Sequence, residues 1–209
     1  MDAGKKKIAV IFYTTYGHQY KMATTIMEGA KAQGHVTVDI FRIQETLSDE
    51  ILGKMHALEA RKQWEKVPII TAEKLKEYDG IAFGSPTRFG ACSAQAKTFI
   101  DSLGGLWMQN ALMGKYACVF TSSGNQHGGN ETTLLNMIIP FFHMGMIVVG
   151  LPPSWKGQSN TKEIVGGSPL GMTTIAGGDG SRMPSALEIE GAKAFGKHFA
   201  DAVTGRIGK

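Results

Sequence analysis

Cysteine is scarce in this chain. Its 209 residues hold two, Cys92 and Cys118. They are far apart and fall outside any C-x-x-C spacing, which argues against a disulfide framework or a thiolate metal site. Cys118 lies inside an apolar run and reads as core; Cys92, just after a loop glycine, reads as a small packed residue. Long apolar stretches are also missing: none approaches the roughly 20 residues of a membrane span. The N-terminus is charged and lacks an apolar region followed by a small-residue cleavage site. The expectation is therefore a cytoplasmic protein with no membrane insertion. Basic tracts stop at Lys5-Lys6-Lys7, and the net charge is only +4. No helix-turn-helix, zinc-finger or aromatic RNA-binding pattern occurs, so no nucleic acid partner is expected. Two phosphate signatures are absent as well, G-x-x-x-x-G-K-[ST] and G-x-G-x-x-G.

What the chain does have is apolar content and glycine. Hydrophobic residues make up 43% and charged residues 19%, enough to bury a core and to exclude wholesale disorder. The length fits one domain, 1–209. The 27 glycines are not periodic, which excludes collagen and simple repeats; they cluster in loops, where backbone can approach a ligand closely.

Ile8–Tyr13 is an unbroken apolar run rich in β-branched residues, the mark of a strand buried on both faces. Gln19–Gln33 has Met22, Ile26, Gly29 and Ala30 on one helical face, and Gly34 stops it. Val36–Phe41 alternates as a second strand. Ile43–Lys66 reads as a short helix or a long excursion, and Ala72–Glu77 as a helical turn or two. Further strands are expected at Gly80–Gly84, Lys115–Thr121 and Met146–Gly150. Helices are expected at Ala94–Leu103, ended by Gly104-Gly105, and at Glu131–Ile139, where Pro140 should kink or end the helix. Leu151–Pro184 reads as a long loop, and Pro184-Ser185 opens a last helix to about Thr204. Such alternation implies a doubly wound five-stranded parallel α/β sheet with helices on both faces. Two strand orders remain open, the flavodoxin-like 2-1-3-4-5 and a Rossmann half.

In open parallel sheets ligands bind beyond the carboxyl ends of the strands. Three such loops are rich in hydroxyls, amides and glycine: Thr14-Thr15-Tyr16-Gly17-His18-Gln19, Ser85-Pro86-Thr87-Arg88-Phe89-Gly90, and Ser122 to Asn130. The first joins a buried strand to a helix N-terminus, where free amides and the helix dipole favour an anion. Thr14 and Thr15 add hydroxyls, and Gly17 lets the backbone curl close. With no lysine, this loop suits a terminal monophosphate better than a triphosphate. The other two loops would cradle a flat ring system, with Phe89 covering a face and Arg88 supplying positive charge. Of six histidines, His18, His127 and His143 are expected at or near this edge. No acidic residue or paired spacing makes them a metal set, so no metal site is expected, and a proton donor beside the ring is the preferred reading. His35, His56 and His198 read as surface or satellite residues.

These residues carry a family resemblance. Tyr13 to His18, Gly84 to Gly90, Gly104-Gly105-Leu106-Trp107 and Thr173 to Arg182 together resemble the WrbA family of FMN-dependent NAD(P)H:quinone oxidoreductases, over nearly the whole chain. The resemblance implies a flavodoxin-like fold of order 2-1-3-4-5. It implies FMN contacts along Thr14, Thr15, Tyr16, Gly17, His18 and Gln19, at Pro86, Thr87, Arg88 and Phe89, across Ser122, Ser123, Gly124, Asn125, Gln126, His127 and Gly128, and at His143. It further implies that Tyr16 meets the nicotinamide of NADH or NADPH, that Trp107 lines the quinone site, and that a homotetramer completes each active site from neighbouring subunits. Some members have a shorter, almost all-glycine third loop, so contacts there carry over to within about one position. His143 is the candidate proton donor for a two-electron transfer from NAD(P)H to a quinone. One rival is a flavodoxin-type electron carrier, against which stand the basic charge and the extra length at Ile43–Lys66 and Leu151–Pro184. A regulatory binding module is another, and no partner motif supports it.

Overall fold

The structure, a computed structural model, describes residues 4–207; the first three and last two positions of the expected domain lie outside them. The central strand β1 (Lys6–Phe12) runs parallel to β2 (Val36–Arg42), from Lys6 beside Val36 to Phe12 beside Arg42. On its other side lies β3 (Gly80–Arg88). A two-residue strand β4 (Ala91–Cys92) turns back antiparallel on the end of β3. Next come β5 (Tyr116–Ser123) and the short β6 (Ile147–Val148), both parallel. The path is β2-β1-β3-β5-β6. With the β4 hairpin set aside, that is the second, first, third, fourth and fifth parallel strand, the flavodoxin-like order.

Alternation along each strand feeds two cores. Ile8, Val10 and Phe12 of β1 pack with Ala82, Cys118 and Phe120 under the helices α1 (His18–Lys31) and α7 (Ala186–Val203). Ala9 and Ile11 pack with Ile81, Phe83, Ala117 and Val119 under α4 (Ala94–Asp101) and α6 (Asn130–His143). Because successive side chains point to opposite faces, a strand covered on both sides must be apolar throughout, as Ile8–Tyr13 is. Both cysteines are free and buried, and burial pushes both thiols up.

Four expectations change. The fifth sheet position is split: β6 pairs only with Tyr116 and Ala117, while β7 (Met172–Ile175) pairs with Phe120–Ser123. The segment read as one loop from Leu151 to Pro184 therefore leaves the sheet and re-enters it. Re-entry depends on Gly171, where a Cβ would stand 2.2 Å from the Val119 carbonyl oxygen. The 43–66 excursion holds two short helices, α2 (Asp49–Lys54) and α3 (Leu58–Arg61). Gly104-Gly105 do not end a helix but begin one, α5 (Gly104–Met108). Pro140 lies inside α6, which runs on to His143. It falls in the last turn, and the Met144 amide still closes onto its carbonyl, so the missing donor does not stop the helix.

Candidate functional site

At the carboxyl ends of β1, β3, β5 and β7 lies a cavity of about 560 Å3, within the range of small-molecule sites. Its wall brings together Thr14, Thr15, Tyr16 and His18 from the β1–α1 turn, Pro86, Thr87 and Arg88 from β3, Ser122, Ser123 and Gly124 from β5, and Ala176–Gly180 after β7. Three expected loops thus converge, although Ser85–Arg88 and Ser122–Ser123 are strand ends rather than loop.

The β1–α1 turn is built for an anion. Gly17, the N-cap of α1, has φ 101°, a left-handed backbone natural to glycine. Its amide donates to Thr14 Oγ1 at 3.0 Å, folding the turn tightly. No side chain caps this helix, whereas Ser93 caps α4 and Ser185 caps α7. The first-turn amides of α1 therefore have no intrahelical acceptor and no side-chain cap. Arg88 reaches across from β3, its Nη2 donating to Thr15 Oγ1 at 2.9 Å, which places a cation beside the turn. Behind it the Tyr13 hydroxyl donates to Glu45 at 2.9 Å, and burial first, then Glu45, pushes this phenol up.

His18 is almost fully buried. Its Nε2 lies 3.2 Å from the Arg182 carbonyl oxygen, which can only accept, so that nitrogen carries the proton. Burial lowers the ring's pKa, opposed by the carbonyls of Arg182 and Gly180 and by Glu188. Arg182 belongs to a glycine-rich loop fixed by hydrogen bonds from the Ala176 amide to Ser123 O and from the Arg182 amide to Ala176 O. Glu188, wholly buried on α7, anchors it by accepting from Arg182 Nη1 at 3.0 Å.

Several residues expected at the site stand elsewhere. Gln19 is fully buried behind the turn; its side-chain amide has no protein partner, nor does Oδ1 of Asn130 in the first turn of α6. Asn125, Gln126 and His127 are exposed and off the cavity wall. Phe89 covers no face of the cavity: it is fully exposed on the β3–β4 hairpin tip. There Phe89 (φ 55°) and Gly90 (φ 82°) form a two-residue turn with both φ positive, the type I′ pattern that matches strand twist. His143 does not lie at the carboxyl edge of its own chain. It ends α6, whose 14 residues carry the chain about 20 Å back toward the amino edge. There Gly145 O accepts from the Gly114 amide, just before β5. Trp107 is beside it, donating from Nε1 to the His143 carbonyl at 3.1 Å, and both line a separate depression.

Reasoning from sequence missed three parts of the wall. The Ala176–Gly180 loop stood among the family motifs but received no role. Met55 and His56, from the end of α2, line the cavity too. The Tyr16 hydroxyl donates to Met55 O at 3.2 Å, tying that excursion to the mouth, and His56 holds a left-handed φ of 56°. This positive φ on a non-glycine residue has no signature in sequence.

Comparison with known proteins decides the family. Residues 7–159 match the family model for NADPH-dependent FMN reductase. The chain belongs to this family. It is 48% identical, over 96% of its length and 97% of the relative's, to an NAD(P)H dehydrogenase (quinone) of Aromatoleum aromaticum. A protein of the same name from Methanosarcina acetivorans is 47% identical over 92% of this chain and 94% of its own. Among solved structures, a WrbA-like flavodoxin from Agrobacterium tumefaciens superposes with TM-score 0.67 at 22% identity, covering 97% of this chain and 99% of that one. Flavodoxin 1 of Bacillus cereus gives 0.61 at 19% identity, over 94% and 98%. The resemblance carried by the sequence motifs is borne out, and so is the flavodoxin-like fold.

Proposed function

We propose that the chain is an FMN-dependent oxidoreductase that transfers two electrons from NAD(P)H to quinones. The observation that carries this reading is the uncapped N-terminus of α1 facing a cavity walled by hydroxyls, glycines and one guanidinium, in a family of FMN reductases. The donor set fits FMN. Thr14, Thr15 and the first-turn amides of His18 and Gln19 suit a terminal phosphate. The Pro86–Arg88 and Ser122–Gly124 backbone, with Ala176–Gly180, suits the polar edge of a flat ring. The unpartnered polar atoms of Gln19 and Asn130 lie in the first turns of α1 and α6.

Bound here, FMN would accept a hydride from NAD(P)H and return two electrons to the quinone. The protein positions and shields. Tyr16, 43% exposed and held by Met55 O, presents its ring at the cavity mouth where a nicotinamide can stack. Arg88 places positive charge near the cofactor, and the glycine loop excludes water from one side.

The same reading makes the chain a cytoplasmic homotetramer in which Trp107 and His143 of one subunit complete the cavity of another. Trp107 lines the quinone site and His143 supplies a hydrogen bond or proton. Supporting this, Trp107, Met108, Ile139, Phe142 and Phe89 are all large and exposed, an unusual apolar surface for a monomer. Among the described residues no helix is long and apolar enough to cross a membrane.

The test is spectroscopic and kinetic. FMN-loaded protein should be yellow, bleach with NADH under anaerobic conditions and recover with a quinone. Protein that binds FMN but reacts poorly with NAD(P)H in a single turnover would be an electron carrier instead. Failure to take up FMN would end the reading.

A further inference from the structure

The donors around the cavity suit a phosphate, but its fixed charges do not neutralise one. Among its lining residues the fixed charges are Arg88 and Asp179, one of each sign, which cancel. A group carrying two negative charges at pH 8 therefore arrives uncompensated except for the helix dipole, worth roughly half a charge. The histidines among the lining residues are His18 and His56. His56 sits on the outer wall, exposed. His18 is the first residue of α1, where the phosphate is expected, and its ring is buried against the carbonyls of Arg182 and Gly180. Every other neighbour that bears on the ring is in view. Glu188 on α7 favours the charged form but is already paired with Arg182. Arg88 on β3 lines the same cavity and donates to Thr15. Tyr16 shares the wall. Burial lowers the ring's pKa in the free chain, against the carbonyls of Arg182 and Gly180.

We propose that His18 is the counter-charge for the bound phosphate: neutral in the free protein, it takes up a proton from solvent as FMN binds and stands as an imidazolium in the complex. The phosphate loop needs no lysine because this histidine becomes its cation on demand. The inference rests on the FMN reading above and adds a proton to it.

The test is titration calorimetry of the ligand-free protein with FMN, in buffers of differing ionisation enthalpy, between about pH 7.5 and 8.5. In that range free FMN is fully dianionic, since a phosphate monoester's second pKa is about 6. The expected result is uptake approaching about one proton per FMN, with Kd weakening up to about tenfold per pH unit. Riboflavin, which lacks the phosphate, should bind with no proton uptake. His18→Asn keeps a donor for the Arg182 carbonyl but cannot titrate, so its uptake should vanish and its Kd become independent of pH. His56→Asn should keep the uptake. If His18→Asn does not fold, 15N-histidine NMR of the wild-type protein reads the same event, as a move of one ring to the doubly protonated state with FMN. FMN binding without proton uptake, or uptake that survives in His18→Asn, overturns the proposal and leaves the FMN reading standing. Absence of binding by both flavins overturns the FMN reading itself.

Discussion

Replacing Glu188 by Gln probes the anchor of the cavity's far wall. The carboxylate is wholly buried and accepts from five donors. Oε1 takes the amides of Gly166 at 2.9 Å and Ile175 at 3.2 Å. Oε2 takes Thr174 Oγ1 at 2.9 Å, Arg182 Nη1 at 3.0 Å and the Ser185 amide at 2.8 Å. A glutamine keeps the shape but only one acceptor. Its better orientation leaves the oxygen among the three donors at Oε2 and turns the NH2 toward the amides of Gly166 and Ile175. Two buried donors are then stranded, at about 1–3 kcal/mol each, and the contact to Arg182 loses its charge assistance. The loss should total about 3–5 kcal/mol, the range for breaking one side of a buried ion pair. Against a typical 5–15 kcal/mol the variant folds, with little margin. Urea denaturation of the ligand-free protein measures it, with the midpoint lowered and the slope unchanged. Hydrogen exchange should show the Ala176 and Arg182 amides losing protection first, because the glycine loop hangs from this carboxylate. A stability change below about 1 kcal/mol would refute the reasoning, since it would mean the five contacts are replaceable by water.

Three further outcomes are expected. Gly171→Ala puts a methyl against the Val119 carbonyl at 2.2 Å; a backbone atom cannot step aside, so overpacking of about 3 kcal/mol or more should lower Tm and loosen FMN retention, and an unchanged Tm would contradict it. Phe89→Gly removes a side chain from a left-handed position, relieving about 1–2 kcal/mol of backbone strain, yet sedimentation should show smaller species if the exposed ring holds neighbouring subunits; unaltered assembly would strip Phe89 of that role. The ligand-free chain should lose stability in denaturant as pH falls. Burial depresses His18 and His198, so both take up protons at lower pH when folded than the unfolded chain does, near pH 6.5; stability present above that pH is lost progressively below it. His18→Asn should flatten this slope.

What the sequence made legible was local. The run Ile8–Tyr13 and the face of Met22, Ile26 and Ala30 each reveal their burial through their own spacing. The strand-to-helix turn at Thr14–Gln19 likewise reveals its chemistry, because free helix amides depend on nothing distant. β7 was not legible: four residues between Gly171 and Ala176 give no period, and its place depends on the backbone contact at Gly171. The role of Met55 and His56 depends on a hydrogen bond to Tyr16, 39 residues away from Met55. Glu188 was half legible. Ser185-Ala186-Leu187-Glu188 has the S-x-x-E form of a capping box, and the structure forms that box. Nothing local could tell that the same carboxylate also holds Arg182 and the turn after β7.

His143 separates a failure of method from a limit of information. Its side chain suggested a proton donor beside the cavity, but the chain's own geometry argued otherwise. The expected strand Met146–Gly150 is parallel to the others, so it starts at the amino edge of the sheet, and a residue three positions before it must lie near that edge. The helix from Asn130 has just the length needed to run back there: 14 residues rise about 20 Å, against about 26 Å for the eight residues of β5. No rotamer of His143 reverses that distance. Either this histidine has no part in the chemistry, or it reaches a cavity belonging to another subunit, carried by the surface it shares with Trp107. A mixed assembly decides between these. Subunits bearing His143→Ala, combined with subunits bearing a Thr14 and Thr15 double substitution to Val that weakens FMN binding, should regain activity only if the histidine acts across the interface. If the histidine has no part in the chemistry, the His143→Ala subunits alone stay active and mixing adds nothing.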